Sequence, residues 1–227
     1  MKRVALSWSG GKDSVLALRA LRDELQIEPA ALITTVTGEY DRVSMYGGRR
    51  DLLRAQARAV GVCVVEVDIP ARCPNEVYEA RMACALNSPP LSSVHTIAFA
   101  DLFLSDIRAY REQRLTAAGR QALFPLWGRD TRELAGGFIA AGFQATLVCV
   151  DLAQLDAAFL GRRFDESLLA DLPPTTDPCG ENGEFHTFVH DGPIFSQPVP
   201  VEIGEPVIRD GYGFQGLLAC ALASGER

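Results

Sequence analysis

The sequence predicts an α/β protein: three layers, α/β/α, around a parallel sheet, followed by a small, mostly β lobe at the C-terminal end. Three observations carry this. Up to about residue 172, short apolar runs alternate with helical patterns, the trace that βαβ units leave in a sequence. The runs are almost continuously apolar, as strands buried on both faces are. After Pro173-Pro174 the helical periodicity fades, and glycine, proline and alternating apolar positions take over.

Residues 3–8 form the first strand, and Leu18, Leu21 and Leu25 share one face of the helix that follows. Residues 30–36 are a second strand. A polar loop over 37–48 leads to a helix marked by Leu53, Ala57 and Val60, and Gly61 suits the left-handed position that ends it. Residues 62–67 make a third strand and 76–86 a third helix. A fourth strand at 95–100 runs into a helix over 104–118, closed by Gly119. The short run 122–127 precedes a helix with Leu134, Phe138 and Ala141 on one face; Gly142 ends it, and 146–150 reads as a further strand of the same alternation. In the tail, 199–203, 206–208 and 214–220 read as short strands. The expected division is a first domain over 1–172 and a small lobe over 173–227.

A chain of 227 residues with 48% hydrophobic content supports one good-sized core. Charged residues at 22% match the globular norm and exclude large-scale disorder. A net charge of −7 opposes a long nucleic-acid footprint, which calls for a basic field. No nucleic-acid partner is expected. Only Lys2 and Lys12 are lysines, against twenty arginines, so a compact ammonium is scarce here. Cys63, Cys73, Cys84, Cys149, Cys179 and Cys220 show neither C-x-x-C nor zinc-type spacing. No stretch approaches the ~20 apolar residues of a membrane span, and the chain opens directly on a strand rather than a leader. The expectation is a cytoplasmic protein with reduced thiols and no membrane partner.

Ser9-Gly10-Gly11-Lys12-Asp13-Ser14 follows the first strand and opens a helix. Paired glycines let the backbone turn sharply and approach an anion closely. The helix directs its unpaired N–H groups and partial positive end at the same spot. Ser9 and Ser14 add hydroxyl donors and Lys12 a cation, so the segment reads as a phosphate nest. It is not G-x-x-x-x-G-K-[ST], because Asp13 follows Lys12, and it is not G-x-G-x-x-G.

The hexapeptide resembles the PP-loop of the ATP pyrophosphatases, also called adenine nucleotide alpha hydrolase-like proteins. That resemblance implies a Rossmann-like, HUP-type sheet and a loop that holds the β- and γ-phosphates of ATP. It leaves the α-phosphate open, so that AMP is transferred and pyrophosphate departs. ATP and Mg²⁺ are the implied cofactors, with Asp13 as the metal-side carboxylate.

Near the C-terminal end stands Asp177-Pro178-Cys179-Gly180-Glu181-Asn182-Gly183-Glu184-Phe185-His186-Thr187. Read by residue type, its interleaved glycines and glutamates make a polar loop that can converge on a ligand. It is similar to the G-E-x-G-E-[YF]-x-T signature of the diphthine–ammonia ligase family of PP-loop proteins. Pro125-Leu126-Trp127, Gly142-Phe143 and Leu160-Gly161-Arg162 extend the likeness over nearly the whole chain. Members of that family adenylate an acyl group with ATP and pass it to ammonia, giving an amide, AMP and pyrophosphate; their substrate is diphthine, a modified histidine on a translation elongation factor. Two departures fall at the expected site. Met45-Tyr46-Gly47 stands where the family has M-H-G, and Phe99-Ala100-Asp101 where it has a G-D pair.

In an open α/β sheet, ligands sit outside the carboxyl ends of the strands, near the point where strand order reverses. ATP is therefore expected across Ser7, Ser9, Gly10, Gly11, Lys12, Asp13 and Ser14, with adenine near residues 33–36, Ile33 and Thr34 among them, and the strand end at 99–101. Asp101 would serve Mg²⁺ or a ribose hydroxyl, and serves equally as a cap of the next helix. The acceptor side comprises Met45, Tyr46, Gly180, Glu181, Gly183, Glu184, His186 and Thr187. Lys12, Asp13, Glu181 and Glu184 are the catalytic candidates, the glutamates as binders of ammonium or as bases. The implied partners are a small or protein-borne carboxylate and ammonia, and the family's habit implies a homodimer. Cys179 reads as buried filler ahead of a nucleophile. Two other functions stay open on the sequence: a tRNA-modifying enzyme, opposed by charge and cysteine spacing, and a sensor that holds ATP without turnover, opposed by the intact loop.

Overall fold

The computed structural model describes residues 3–39, 42–43 and 48–220. In chain order the elements are β1 (Val4–Ser7), α1 (Lys12–Asp23), β2 (Ala31–Thr37), β3 (Arg42–Val43), α2 (Arg50–Val60), β4 (Val64–Ile69), α3 (Asn75–Leu86), β5 (Thr96–Ala98), α4 (Ser105–Ala117), β6 (Gln121–Leu123), α5 (Thr131–Ala140), β7 (Gln144–Asp151), α6 (Glu166–Asp171), β8 (Phe185–Asp191), β9 (Val201–Arg209) and β10 (Tyr212–Ala219).

β4, β2, β1, β5 and β6 lie side by side in that order, all parallel, and β3 adds antiparallel to the end of β2. Alternation along the strands feeds two cores. Val4 and Leu6 of β1 face one and Ala5 the other; Leu32 and Ile33 of β2 divide in the same way. The core beneath α3 and α4 holds Ile33, Val67, Ile97 and Leu115. The opposite core lies under α1 and α2, with Val15, Leu18 and Leu21 fully buried. These layers give the predicted α/β/α arrangement.

A second sheet, ordered β8-β7-β10-β9 and wholly antiparallel, covers the outer side of α1 and α2. Phe185 and Val189 of β8 join the core that holds α1, and Phe188 and Leu217 pack on Leu52 and Ala59 of α2. The two helices are thus apolar on two sides, one for each sheet. The sequence placed 146–150 in the parallel alternation, and this is corrected: β7 pairs antiparallel with β8 and β10. Strand order cannot be read from periodicity, because a strand buried on both faces looks the same in either sheet. The second sheet draws strands from both sides of Pro173-Pro174.

Other differences are local. Helix α1 stops at Asp23, so Leu25 lies beyond it and is exposed rather than on the buried face. The short runs at 199–203 and 206–208 are one strand, β9, with Pro206 inside it on the sheet edge, where a missing N–H is tolerated. The end of the glycine–glutamate motif, read as loop, is strand β8. Among the described residues no helix is long and apolar enough to cross a membrane.

Candidate active site

Strand order reverses between β1 and β5: β2 and β4 extend the sheet one way and β5 and β6 the other. The crevice outside the carboxyl ends of β1 and β5 is therefore where a ligand belongs. Two loops meet there, 8–11 after β1 and 99–104 after β5.

The first loop turns at Gly10, whose φ of +79° lies in the left-handed region. Gly11 then caps α1 with extended backbone. Ser9 Oγ accepts from the Gly11 N–H at 3.2 Å and donates to Ser14 Oγ at 3.3 Å, and Ser14 Oγ donates to the Gly11 carbonyl at 2.8 Å. Two of these are long, weak bonds that an anion can replace. One expected donor is taken differently. The Lys12 backbone N–H bonds Thr187 Oγ1 of β8 at 3.0 Å, so the helix start leans on the second sheet.

Lys12 itself is 1% exposed. Its ammonium pairs with Asp13 Oδ2 at 3.0 Å, donates to the Cys179 carbonyl, and lies 5.6 and 5.2 Å from the ring centres of Phe164 and Phe185. Burial works against the charged form, but the Asp13 carboxylate and the polar surroundings outweigh it and raise the Lys12 pKa. The sequence read Lys12 as a cation for phosphate. In this structure its ammonium meets the Cys179 carbonyl, in the segment that leads into β8, and the Phe185 ring at the start of that strand. Burial raises the Asp13 carboxyl against the pull of Lys12, and Asp13 Oδ1 is buried with no hydrogen-bond partner.

The segment 177–184 arches from α6 to β8 around Asp177. Asp177 Oδ1 accepts from the N–H groups of Cys179 and Glu181 at 2.9 and 3.2 Å, and Oδ2 accepts from Thr131 Oγ1 at 2.7 Å. Gly180, at φ +68°, turns so close to the Phe185 carbonyl that a Cβ would stand 2.7 Å from it. Gly183 is likewise left-handed at φ +86°. The arch sends its two glutamates different ways. Glu181 crosses to the other loop and accepts from the Leu102 N–H at 2.7 Å. Burial, reinforced by Asp13 and Asp101, pushes its pKa up to about 7 against the Leu102 bond and Lys12. Glu184, 2% exposed, folds back to brace the arch, accepting from the Asp177 N–H at 2.8 Å and the Asn182 amide at 3.0 Å.

His186 stands on β8, and burial together with Lys12 lowers its pKa to about 3, so its ring is neutral at ordinary pH. Cys179 is buried with its thiol against the Thr131 carbonyl at 3.3 Å, and burial pushes its pKa well up. A thiol kept from ionising is a poor nucleophile. Under native conditions at pH 8, iodoacetamide is expected to label the exposed Cys63 and Cys84 and spare Cys179, read by peptide mass spectrometry. Rapid labelling of Cys179 would reopen its reading as a nucleophile.

Asp101 does not cap α4, whose N-cap is Leu104; its carboxylate binds Arg111 Nε at 2.8 Å and its pKa is raised by burial against that cation. Ile33 and Thr34 are enclosed within β2, at 3% and 4% exposure, with Ile33 in register with Ser7. Met45 and Tyr46 lie outside the described residues. A Mg²⁺ ion is commonly held by one or two carboxylates together with substrate phosphates and water. The buried, unpartnered Asp13 Oδ1 fits that role, and among the described residues no group of three or more His, Cys, Asp and Glu forms an all-protein cage.

Sequence reasoning missed Gln56 and the bracing role of Asp177. Gln56 has a faint signal: a polar residue at a helical position between apolar neighbours on both sides, Leu52, Leu53, Ala57 and Val60.

Two family models match successive stretches of the chain. The family model described as diphthamide synthase N-terminal domain matches residues 1–112, and that described as diphthamide synthase C-terminal domain matches 130–217. A rat protein named diphthine–ammonia ligase is 26% identical over 234 residues, covering 93% of this chain and 87% of its own. Its mouse counterpart is 24% identical over 233 residues with the same coverage. The human protein of that name is 32% identical over 117 residues, 49% of this chain and 44% of its own.

Proposed function

Because the chain belongs to the diphthamide synthase family, with both of that family's domains matched in order, we propose that it is an ATP-dependent, AMP-forming amide ligase. Diphthine, the acceptor named for the relatives, is the proposed carboxylate, and ammonia the nitrogen donor. The observation that carries the reading is the convergence at the switch point: Glu181 bonds the loop after β5 beside Lys12 and Asp13 at the start of α1.

A carboxylate is a poor electrophile towards ammonia until one oxygen becomes part of a good leaving group. In the proposed first step that oxygen attacks the α-phosphorus of ATP and the bond to the β-phosphate bridge breaks, releasing pyrophosphate. In the second, ammonia attacks the acyl carbon, and AMP leaves with the oxygen that had been activated. The N–H of Gly11 and the hydroxyls of Ser9 and Ser14 would hold the pyrophosphate end. Bound alongside ATP, Mg²⁺ would offset the charge on that group, with Asp13 as its carboxylate.

Glu181 is the proposed base. The proton lost by attacking nitrogen goes to its carboxylate, whose pKa of about 7 lies near working pH, where a base is both ionised and strong enough. His186, at about 3, is too weak a base for the step, and Glu184 is turned into the arch, where its Oε1 takes the Asp177 and Asn182 donors, while Glu181 faces the loop after β5. Incubation with ATP, Mg²⁺, ammonium and a diphthine-bearing elongation factor should yield equal amounts of AMP and pyrophosphate, and an amide in place of the acid by mass spectrometry. ADP as the product, or AMP release indifferent to ammonia and carboxylate, would sink the ligase reading.

A further inference from the structure

Gln56 is a buried polar side chain with 0% exposure, on the face of α2 where the cores of the two sheets meet. Its amide is fully engaged. Oε1 accepts from Trp8 Nε1 at 3.2 Å, which fixes which way the amide faces. Nε2 donates to the Gly10 carbonyl at 2.9 Å and to the Val189 carbonyl of β8. A second donor, the Val189 N–H, reaches the same Gly10 carbonyl at 3.0 Å.

These bonds have a consequence for the opposite edge of one peptide. In a trans peptide the carbonyl and the following N–H point in opposite directions. Drawing the Gly10 carbonyl back towards α2 and β8 turns the Gly11 N–H the other way, onto the side where Ser9 Oγ lies, with Ser14 Oγ beside it. Gly10 leaves room for this arrangement. A Cβ there would stand 2.4 Å from Gln56 Oε1, so the side chain fills the space that the glycine vacates.

We infer that Gln56 is a positioning residue for phosphate binding: through the Gly10 carbonyl it aims the Gly11 N–H and keeps the loop's donors on one side. It touches no ligand itself, and the inference rests on the reading that this loop takes the pyrophosphate end of ATP. The structural alternative, that Gln56 merely fills the seam between two cores, predicts a general loss of stability with no preference among ligands.

The two roles separate with ATP and AMP, which share the nucleoside and α-phosphate but differ in the groups the loop would hold. Gln56→Glu keeps an acceptor for Trp8 and removes at least one of the two donated bonds; Gln56→Met removes all three at similar volume. For each, titration calorimetry on the full chain with Mg²⁺ should show ATP bound about 10-fold more weakly, the scale of one lost buried hydrogen bond, with AMP affinity unchanged. Trp8→Phe, which leaves both donated bonds in place, should keep the ATP-to-AMP affinity ratio of the unaltered protein. Equal weakening of ATP and AMP, or no weakening of either by a folded variant, overturns the inference while the ligase reading stands. If the unaltered protein binds no ATP, both fall together.

Discussion

Glu181→Gln is expected to lower ammonia-dependent amide formation by about 10²–10⁴-fold, the usual contribution of a positioned acid or base. The substitution is nearly isosteric, and a glutamine carbonyl still accepts from the Leu102 N–H, which Glu181 meets at 2.7 Å. ATP affinity should change little. In the unaltered protein, assayed at fixed free ammonia, the rate should rise through about pH 7 as Glu181 loses its proton. That rise should vanish in the variant. Stability should move the opposite way. Glu181 is raised from 4.5 to about 7, so between those values the folded protein holds a proton that the unfolded chain has lost. Its contribution is complete below about pH 4.5 and is lost as pH climbs through 7. Removing the carboxylate should therefore raise Tm at pH 8, by about 2–4 °C if the relief is near 1 kcal/mol, and leave it unchanged at pH 4. A variant equally inactive but less stable at pH 8 would point to a bracing role instead.

Lys12→Met should cost the fold about 3–5 kcal/mol, the range for breaking a buried ion pair from one side. The ammonium joins Asp13 to the Cys179 carbonyl and lies over the rings of Phe164 and Phe185, so it ties α1 to the arch of the second sheet. Methionine replaces most of the stem but none of the donors. Asp13, already raised by burial, would lose its cation and take up a proton more readily. For a chain of this length the expected fall in Tm is on the order of 10 °C, followed by circular dichroism. Lys12 is raised above 10.5, so its contribution is intact at every lower pH and is lost only as pH rises through the folded value. The deficit of the variant should thus be nearly constant from pH 6 to 9. A loss of less than about 2 °C would count against this bracing role.

The parallel half of the fold was legible because its signals are local. Apolar runs at 30–36 and 62–67 became β2 and β4, and Gly61 ends α2 in the left-handed conformation expected of it. The loop after β1 was legible for the same reason: strand, paired glycines, hydroxyls and helix start lie within eleven consecutive residues, from Val4 to Ser14. The second motif was legible as composition and as family likeness but not as geometry. Glu181 and Glu184, three residues apart, look equivalent in sequence; one reaches Leu102, 79 residues away, and the other folds back on Asp177.

The sequence by itself determined the fold class, the loop after β1 and the family. Each depends on neighbours along the chain: strand and helix periods, the backbone freedom of glycine, or a run of residue types. Tertiary structure alone decided that β7 belongs to the antiparallel sheet, that the Lys12 ammonium is sealed beneath Cys179, and that Gln56 holds the Gly10 carbonyl from 46 residues away. Those outcomes depend on which surfaces meet once α1 and α2 are covered on both sides, and burial there sets the charge and hydrogen-bond partners of side chains whose sequence neighbours carry no trace of it.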